Sequence, residues 1–147
     1  MKNEMRTEFL STSENESFAR MVAAAFVLEL DPTMEELSEI KTAISEAVTN
    51  AIIHGYENAE NKFITITGRI TDNVVIFTVS DKGTGIENIK KAREPLYSGA
   101  KNSERSGMGF TIMEAFMDYI SVESSLGQGT SVIMKKTING GKQWYGW

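Results

Sequence analysis

Apolar residues recur along the chain in two different periods, and the switches between them mark out its elements. Leu37, Ile40, Ile44, Ala47, Val48 and Ala51 return at three- and four-residue steps, which predicts a helix with one buried stripe. Thr33 stands where its N-cap belongs, with Glu36 three positions on as in a capping box. Gly55 is a natural stop at its far end. An earlier helix is predicted from Ser13, a second cap paired with Glu16, to about Leu30. Its apolar face would be Phe18, Met21, Val22, Ala25, Phe26 and Leu28, and Asp31-Pro32 would end it.

Elsewhere the period is two. Residues 4–10 are a first strand, 62–70 alternate through Phe63 to Thr67, and 73–80 are β-branched and aromatic. The Thr71-Asp72-Asn73 link suits a hairpin. A short helix is expected at Ile89–Arg93, followed by a long polar connection, Ser98 to Ser106, of the kind that serves as a lid or a linker. Gly107-Met108-Gly109 then opens a helix whose apolar positions are Phe110, Ile112, Met113 and Phe116. Tyr119–Glu123 and Thr130–Thr137 form a closing hairpin around Gly127-Gln128-Gly129. Helices grouped between hairpins predict an α+β two-layer sandwich. One domain is expected over residues 1–137, with 138–147 as a loosely held tail bearing Trp144, Tyr145 and Trp147.

Composition narrows the function classes. A net charge of −5 and a pI near 5.0 argue against nucleic acid as the direct partner. The absence of cysteine removes disulfides and thiolate metal sites and fits a reducing cytoplasm. The first residues lack the apolar core of a signal peptide, and the longest apolar run, Met21 to Leu28, is too short to span a bilayer.

Three segments carry candidate chemistry, and each also has a plain structural reading. Glu46 and Asn50 lie one turn apart, opposite the buried stripe. That is ordinary for a surface helix, yet the Asn50 amide oxygen could ligate magnesium while Glu46 acts as a general base. Asp81-Lys82-Gly83-Thr84-Gly85 is a tight turn after a strand. It could equally present Asp81 to the amino group of a purine, with Gly83 and Gly85 letting the ring approach. Ser106-Gly107-Met108-Gly109 at a helix start is either a hinge or a phosphate cradle, where free amides and a partial positive charge meet an anion. It is neither a Walker A loop nor a Rossmann fingerprint. His54 reads as a cap on its helix end, and Arg20 as a solvated charge or a partner contact.

Together, Glu46-x-x-x-Asn50, Asp81-x-Gly83-x-Gly85 and Gly107-x-Gly109 resemble the N, G1 and G2 boxes of the GHKL (Bergerat-fold) ATPase and kinase superfamily, with Thr130 matching its last adenine-side position. The resemblance covers roughly residues 1–137. Within the superfamily, residues 45–56 and 104–114 look like the anti-sigma-factor serine kinases of spore-forming bacteria. The resemblance implies a mixed, mostly antiparallel sheet with helices on one face, and a cytoplasmic homodimer binding ATP or ADP with Mg2+. It implies sequestration of the sporulation sigma factor F and phosphorylation of a serine on its anti-anti-sigma factor, stage II sporulation protein AA. Carried over by position, Glu46 would be the base and Asn50 the magnesium ligand. Asp81, Gly83, Gly85 and Thr130 would hold adenine, and Ser106, Gly107, Met108 and Gly109 the phosphates. Arg105 would touch the γ-phosphate or a partner, and Arg20 and Glu104 would face partners. The alternatives are the same kinase acting in a stress response, or an ATP-sensing module without transfer. An isolated chaperone or mismatch-repair ATPase fits the short lid poorly.

Overall fold

A computed structural model describes residues 2–94 and 109–140. Strand β1 (Lys2–Leu10) leads into α1 (Asn15–Val27) and a 3-10 turn, Leu28–Leu30. Helix α2 (Met34–Asn50) follows and runs on as a π-helical turn, Ala51–Gly55. After β2 (Phe63–Thr71), β3 (Val74–Asp81) and the short α3 (Ile89–Ala92), the described chain resumes with α4 (Gly109–Phe116). The closing hairpin is β4 (Tyr119–Ser125) and β5 (Gly129–Thr137).

The sheet order is β1-β2-β3-β5-β4. Ile64, Ile66 and Ile70 of β2, Val75, Phe77 and Val79 of β3, and Val132 and Met134 of β5 alternate onto one face. There they join Ile40, Ile44 and Val48 of α2 in the core. The other face carries half-buried Thr65, Thr67 and Thr78. This is the expected α+β sandwich of two layers. The expected mixed sheet is instead antiparallel at every neighbouring pair. The connection through α4 does make β4 run parallel to β3, but β5 folds back between them and separates the two.

Helix α2 starts as predicted. Thr33 Oγ1 accepts from the Glu36 amide, and the Glu36 carboxylate accepts from the Thr33 amide, so the capping box is complete. Helix α1 differs from its prediction in two ways. Its N-cap position is Glu14 with no side-chain cap bond, because Glu16 turns instead across to α2. Its buried line is Ala19, Ala23 and Val27, while Phe18, Met21 and Leu28 stay 47%, 63% and 59% exposed. Small side chains at four-residue steps let α1 lie close on α2, and the larger ones are turned outward. Phe26 packs inward over Gly68 of β2, where a Cβ would come within 2.7 Å of its ring, and the Phe18 ring stands edge-on to buried Phe9 with centroids 5.9 Å apart.

Past β5 the chain stays docked. Ile138 is buried, and the amides of Asn139 and Gly140 donate to Glu36 at 2.8 and 2.9 Å. The remainder of the expected tail, 141–147, lies outside the described residues. Buried Lys136 donates to the Phe116 carbonyl at 2.7 Å and lies 3.4 Å from Glu39, tying the end of α4 to α2.

Candidate active site

Glu46 and Asn50 are half-buried on the side of α2 that faces the start of α4, not on an open surface. A Cβ built on Gly109, the first residue of α4, would lie 3.1 Å from Asn50 Nδ2, 3.2 Å from its Oδ1 and 3.4 Å from Glu46 Oε2. The acid, the amide and a helix N-terminus therefore converge. Ser106, Gly107 and Met108, together with Glu104 and Arg105, lie outside the described residues. So does Lys101.

The second half of the site is built around Asp81, buried at the end of β3. Burial pushes its carboxyl pKa up, and hydrogen bonds from the Gly83 and Thr130 amides offset only part of that. Thr130 stands directly across the ladder from Asp81. Gly83 and Gly85 are each required by a close approach. A Cβ on Gly83 would fall 1.9 Å from the Gly55 carbonyl oxygen, and one on Gly85 (φ +79) 2.1 Å from the Ser125 oxygen. The Ser124 hydroxyl then pins the loop to the β4–β5 hairpin, accepting from the Ile86 amide at 2.7 Å and contacting Thr130 Oγ1 at 2.8 Å.

Sequence reasoning missed part of this half. Helical structure ends at Gly55, as expected, though Gly55 reaches that end inside a π turn and not in a left-handed conformation. Its lack of a side chain serves another end, since a Cβ there would lie 2.7 Å from Asp81 Cγ and Oδ1. Tyr56, Thr84 and Ser124 also bind the loop; the first two lie in stretches already singled out, but nothing in the sequence marked any of the three for this role. Only a long-range pairing of residues 55–56 with 81–84 could have shown it.

Arg20 is not simply a solvated charge. It reaches Glu16 Oε1 and Ser45 Oγ, both at 3.4 Å, while Glu16 accepts from the hydroxyls of Ser45 and Thr49. Those two hydroxyls flank Glu46 and Asn50 in sequence.

The arrangement can hold a purine against the buried carboxylate beside Gly55, just past α2, and an anion against an amide and a helix start at the last turns of α2. Residues 9–136 match the family model described as a histidine kinase-like ATPase domain.

The chain belongs to the histidine kinase-like ATPase family.

Within that family it is 58% identical over 139 residues to the anti-sigma F factor of Clostridium perfringens strain SM101, covering 95% of this chain and 99% of the relative. It is 59% identical over 138 residues to the anti-sigma F factor of Geobacillus kaustophilus, covering 94% of each. The Clostridium beijerinckii anti-sigma F factor is 55% identical over 137 residues, covering 93% of this chain and 96% of that one. These relatives are anti-sigma F factors, and an ATPase domain of this family takes ATP or ADP. The residues fit that ligand in their chemistry: buried Asp81 offers a carboxylate to an amino group, and Asn50 offers an amide oxygen beside Gly109. Among the described residues no helix is long and apolar enough to cross a membrane.

Proposed function

We propose that this protein is an anti-sigma factor and also a protein serine kinase. It sequesters the sporulation sigma factor F in the cytoplasm and phosphorylates a serine of its antagonist, stage II sporulation protein AA. The observation that carries the kinase half is the meeting of Glu46, Asn50 and Gly109 at the start of α4. The relatives' name, anti-sigma F factor, supports the sequestering half.

Bound ATP would supply the transferable γ-phosphoryl group, and magnesium would neutralise its charge. Asn50 Oδ1 is the oxygen ligand offered to magnesium. Among the described residues no cluster of three or more His, Cys, Asp or Glu could hold a metal; magnesium would take nucleotide phosphates and water beside Asn50, as it commonly does with one or two protein ligands. Glu46 takes the proton of the acceptor serine as its oxygen bonds to the γ-phosphorus and the bond to the β-phosphate oxygen breaks, leaving ADP. Asp81 accepts from the adenine amino group, with Gly83, Gly85 and Thr130 shaping the pocket. Gly107, Met108 and Gly109, with Ser106, cradle the phosphates, and Arg105 reaches the γ-phosphate or the client. Arg20 and Glu104 face the partners. The expected domain edges, 1–137 with a tail beyond, belong to the same proposal, with residues 138–140 of that tail docked on the body.

A homodimer belongs to this reading. Phe18, Met21 and Leu28 are exposed on the helix that packs beside edge strand β1. Along that strand Lys2, Glu4, Arg6 and Glu8 alternate in sign. Two copies pairing their β1 edges antiparallel about Met5 would set Lys2 against Glu8 and Glu4 against Arg6, and would bring the two apolar stripes together. Changing Met21→Lys should yield monomers by light scattering; an unchanged dimer would move the interface elsewhere.

The deciding experiment gives labelled ATP and the purified antagonist to the protein. Labelled phosphoserine is expected, and absence of any transfer would leave only a sensor. Co-purification with a stress-response sigma factor instead of sigma factor F would reassign the client.

A further inference from the structure

Besides the Gly83 and Thr130 amides that bond it, the Asp81 carboxylate stands against the π-helical turn Ala51–Gly55, which no role described so far requires. In that turn the Tyr56 amide donates to the Ala51 carbonyl at 2.9 Å, five residues back, and the Asn58 amide reaches Ile52 at 2.8 Å. A π turn admits one more residue than an α turn and so re-aims whatever follows it. Here it brings Gly55 flat against the Asp81 carboxylate, with a Cβ position 2.7 Å from Cγ and Oδ1 and 2.8 Å from Oδ2. The same turn clasps the next residues of the loop. The Gly55 carbonyl accepts from the Thr84 amide at 2.9 Å, and the His54 carbonyl from Thr84 Oγ1 at 3.1 Å. The Tyr56 hydroxyl accepts from the Lys82 amide at 2.7 Å and donates to the Phe63 carbonyl at 2.6 Å.

We propose that this π turn sets the aim of the base-reading carboxylate, making Gly55 and Tyr56 positioning residues for the choice of nucleobase. The inference rests on reading Asp81 as the acceptor for the adenine amino group. Asp81 is short, and its oxygens are already committed to the Gly83 and Thr130 amides. Those amides hold it in one orientation, and the bare Cα of Gly55 leaves the room that this orientation needs. A methyl group there must push the carboxylate off those amides. The peptide units of residues 82–84, gripped through Tyr56 and the Gly55 carbonyl, fix the plane on which the purine would lie.

The test compares affinities for ATP and for the ATP analogue whose purine lacks the 6-amino group, by calorimetry on the full chain. A hydrogen bond to a charged acceptor should give the unaltered protein a preference for ATP of about tenfold or more. Gly55→Ala should bring that ratio close to one while the analogue still binds, and should add nothing to the ratio in an Asp81→Ser background. A merely structural glycine would weaken both nucleotides alike and leave the ratio unchanged, which overturns the proposal. If Gly55→Ala does not fold, Tyr56→Phe decides, with a several-fold smaller ratio expected and an unaltered ratio refuting. Should Asp81→Ser itself keep the preference for ATP, the adenine reading fails. Should Asp81→Ser lose it while folded Gly55→Ala keeps it, only the π-turn proposal fails.

Discussion

Glu36→Ala tests how the helix carrying Glu46 and Asn50 is anchored. Its carboxylate accepts from the Thr33 and Gly140 amides at 2.9 Å each and from Asn139 at 2.8 Å. Losing the reciprocal half of the capping box costs about 1 kcal/mol. Two more amides lose a charged acceptor, and such bonds contribute about 1.5–3 kcal/mol each when shielded. Asn139 is exposed, so water replaces much of its share. The sum comes to roughly 2–3 kcal/mol, or a fall in Tm of roughly 5–10 °C at this chain length. The pH dependence has a definite sign. Burial raises the Glu36 pKa, but the amides of Thr33, Asn139 and Gly140 outweigh it and hold the group below its ordinary 4.5. A folded pKa below the unfolded one stabilises fully above about 4.5 and fades as pH falls through the folded value. Thermal melts from pH 7 to 4 should therefore show a gap between the two proteins that is constant near neutrality and narrows at the acid end. Nucleotide affinity should not change, since Glu36 sits at the opposite end of α2 from Asn50. A fall in Tm under about 1 °C at pH 7, or a gap indifferent to acid, would refute this account of the anchor.

Glu46→Ala should leave ATP binding nearly intact and slow transfer to the client serine by roughly 10²–10⁴-fold in a labelled-phosphate assay, the span of a lost general base; full transfer would remove Glu46 from that role. Asp81→Ala should weaken ATP binding by about tenfold or more, and normal affinity by calorimetry would sink the pocket. Lys136→Met strips the Phe116 carbonyl and Glu39 of a buried partner, and urea unfolding should show a loss of about 2 kcal/mol. Arg20→Ala should weaken capture of the sigma factor or the antagonist in binding assays with ATP affinity unchanged; unaltered binding of both would withdraw Arg20 from the interface.

What was legible in the sequence was local. The Thr33–Glu36 box starts α2 where expected, because its two hydrogen bonds close within four residues. Each hairpin follows from alternation and turn residues. Helix α1 misled for a physical reason. It carries apolar side chains around most of its circumference, so periodicity alone could not show that the alanines face in and Phe18, Met21 and Leu28 face out. Glu16 followed Ser13 at capping-box spacing yet had a stronger claim from Ser45 and Thr49, residues only the tertiary fold brings near. The same limit hid Gly55. Its neighbour Asp81 is distant in sequence, so its glycine looked like a helix stop.

A sparse site of this kind works only if its two halves keep their separation. From Glu46 to Gly55 the helical rise amounts to roughly 13 Å, which sets the acid end of the site apart from the base-reading end. Both ends ride on one continuous helix, so no hinge lies between them, and orientation is fixed before any ligand arrives. A regular α-helix through 51–55 would change the direction of Gly55 by a large part of the 100° that one residue contributes, and Asp81 would then face a different side of the helix. The phosphate end would not register the change, because Glu46 and Asn50 precede the turn. Base selection and phosphate chemistry are therefore separable by mutation even though a single element carries both. The natural place to separate them is the five-residue turn, Ala51–Gly55, where the helix leaves its regular register.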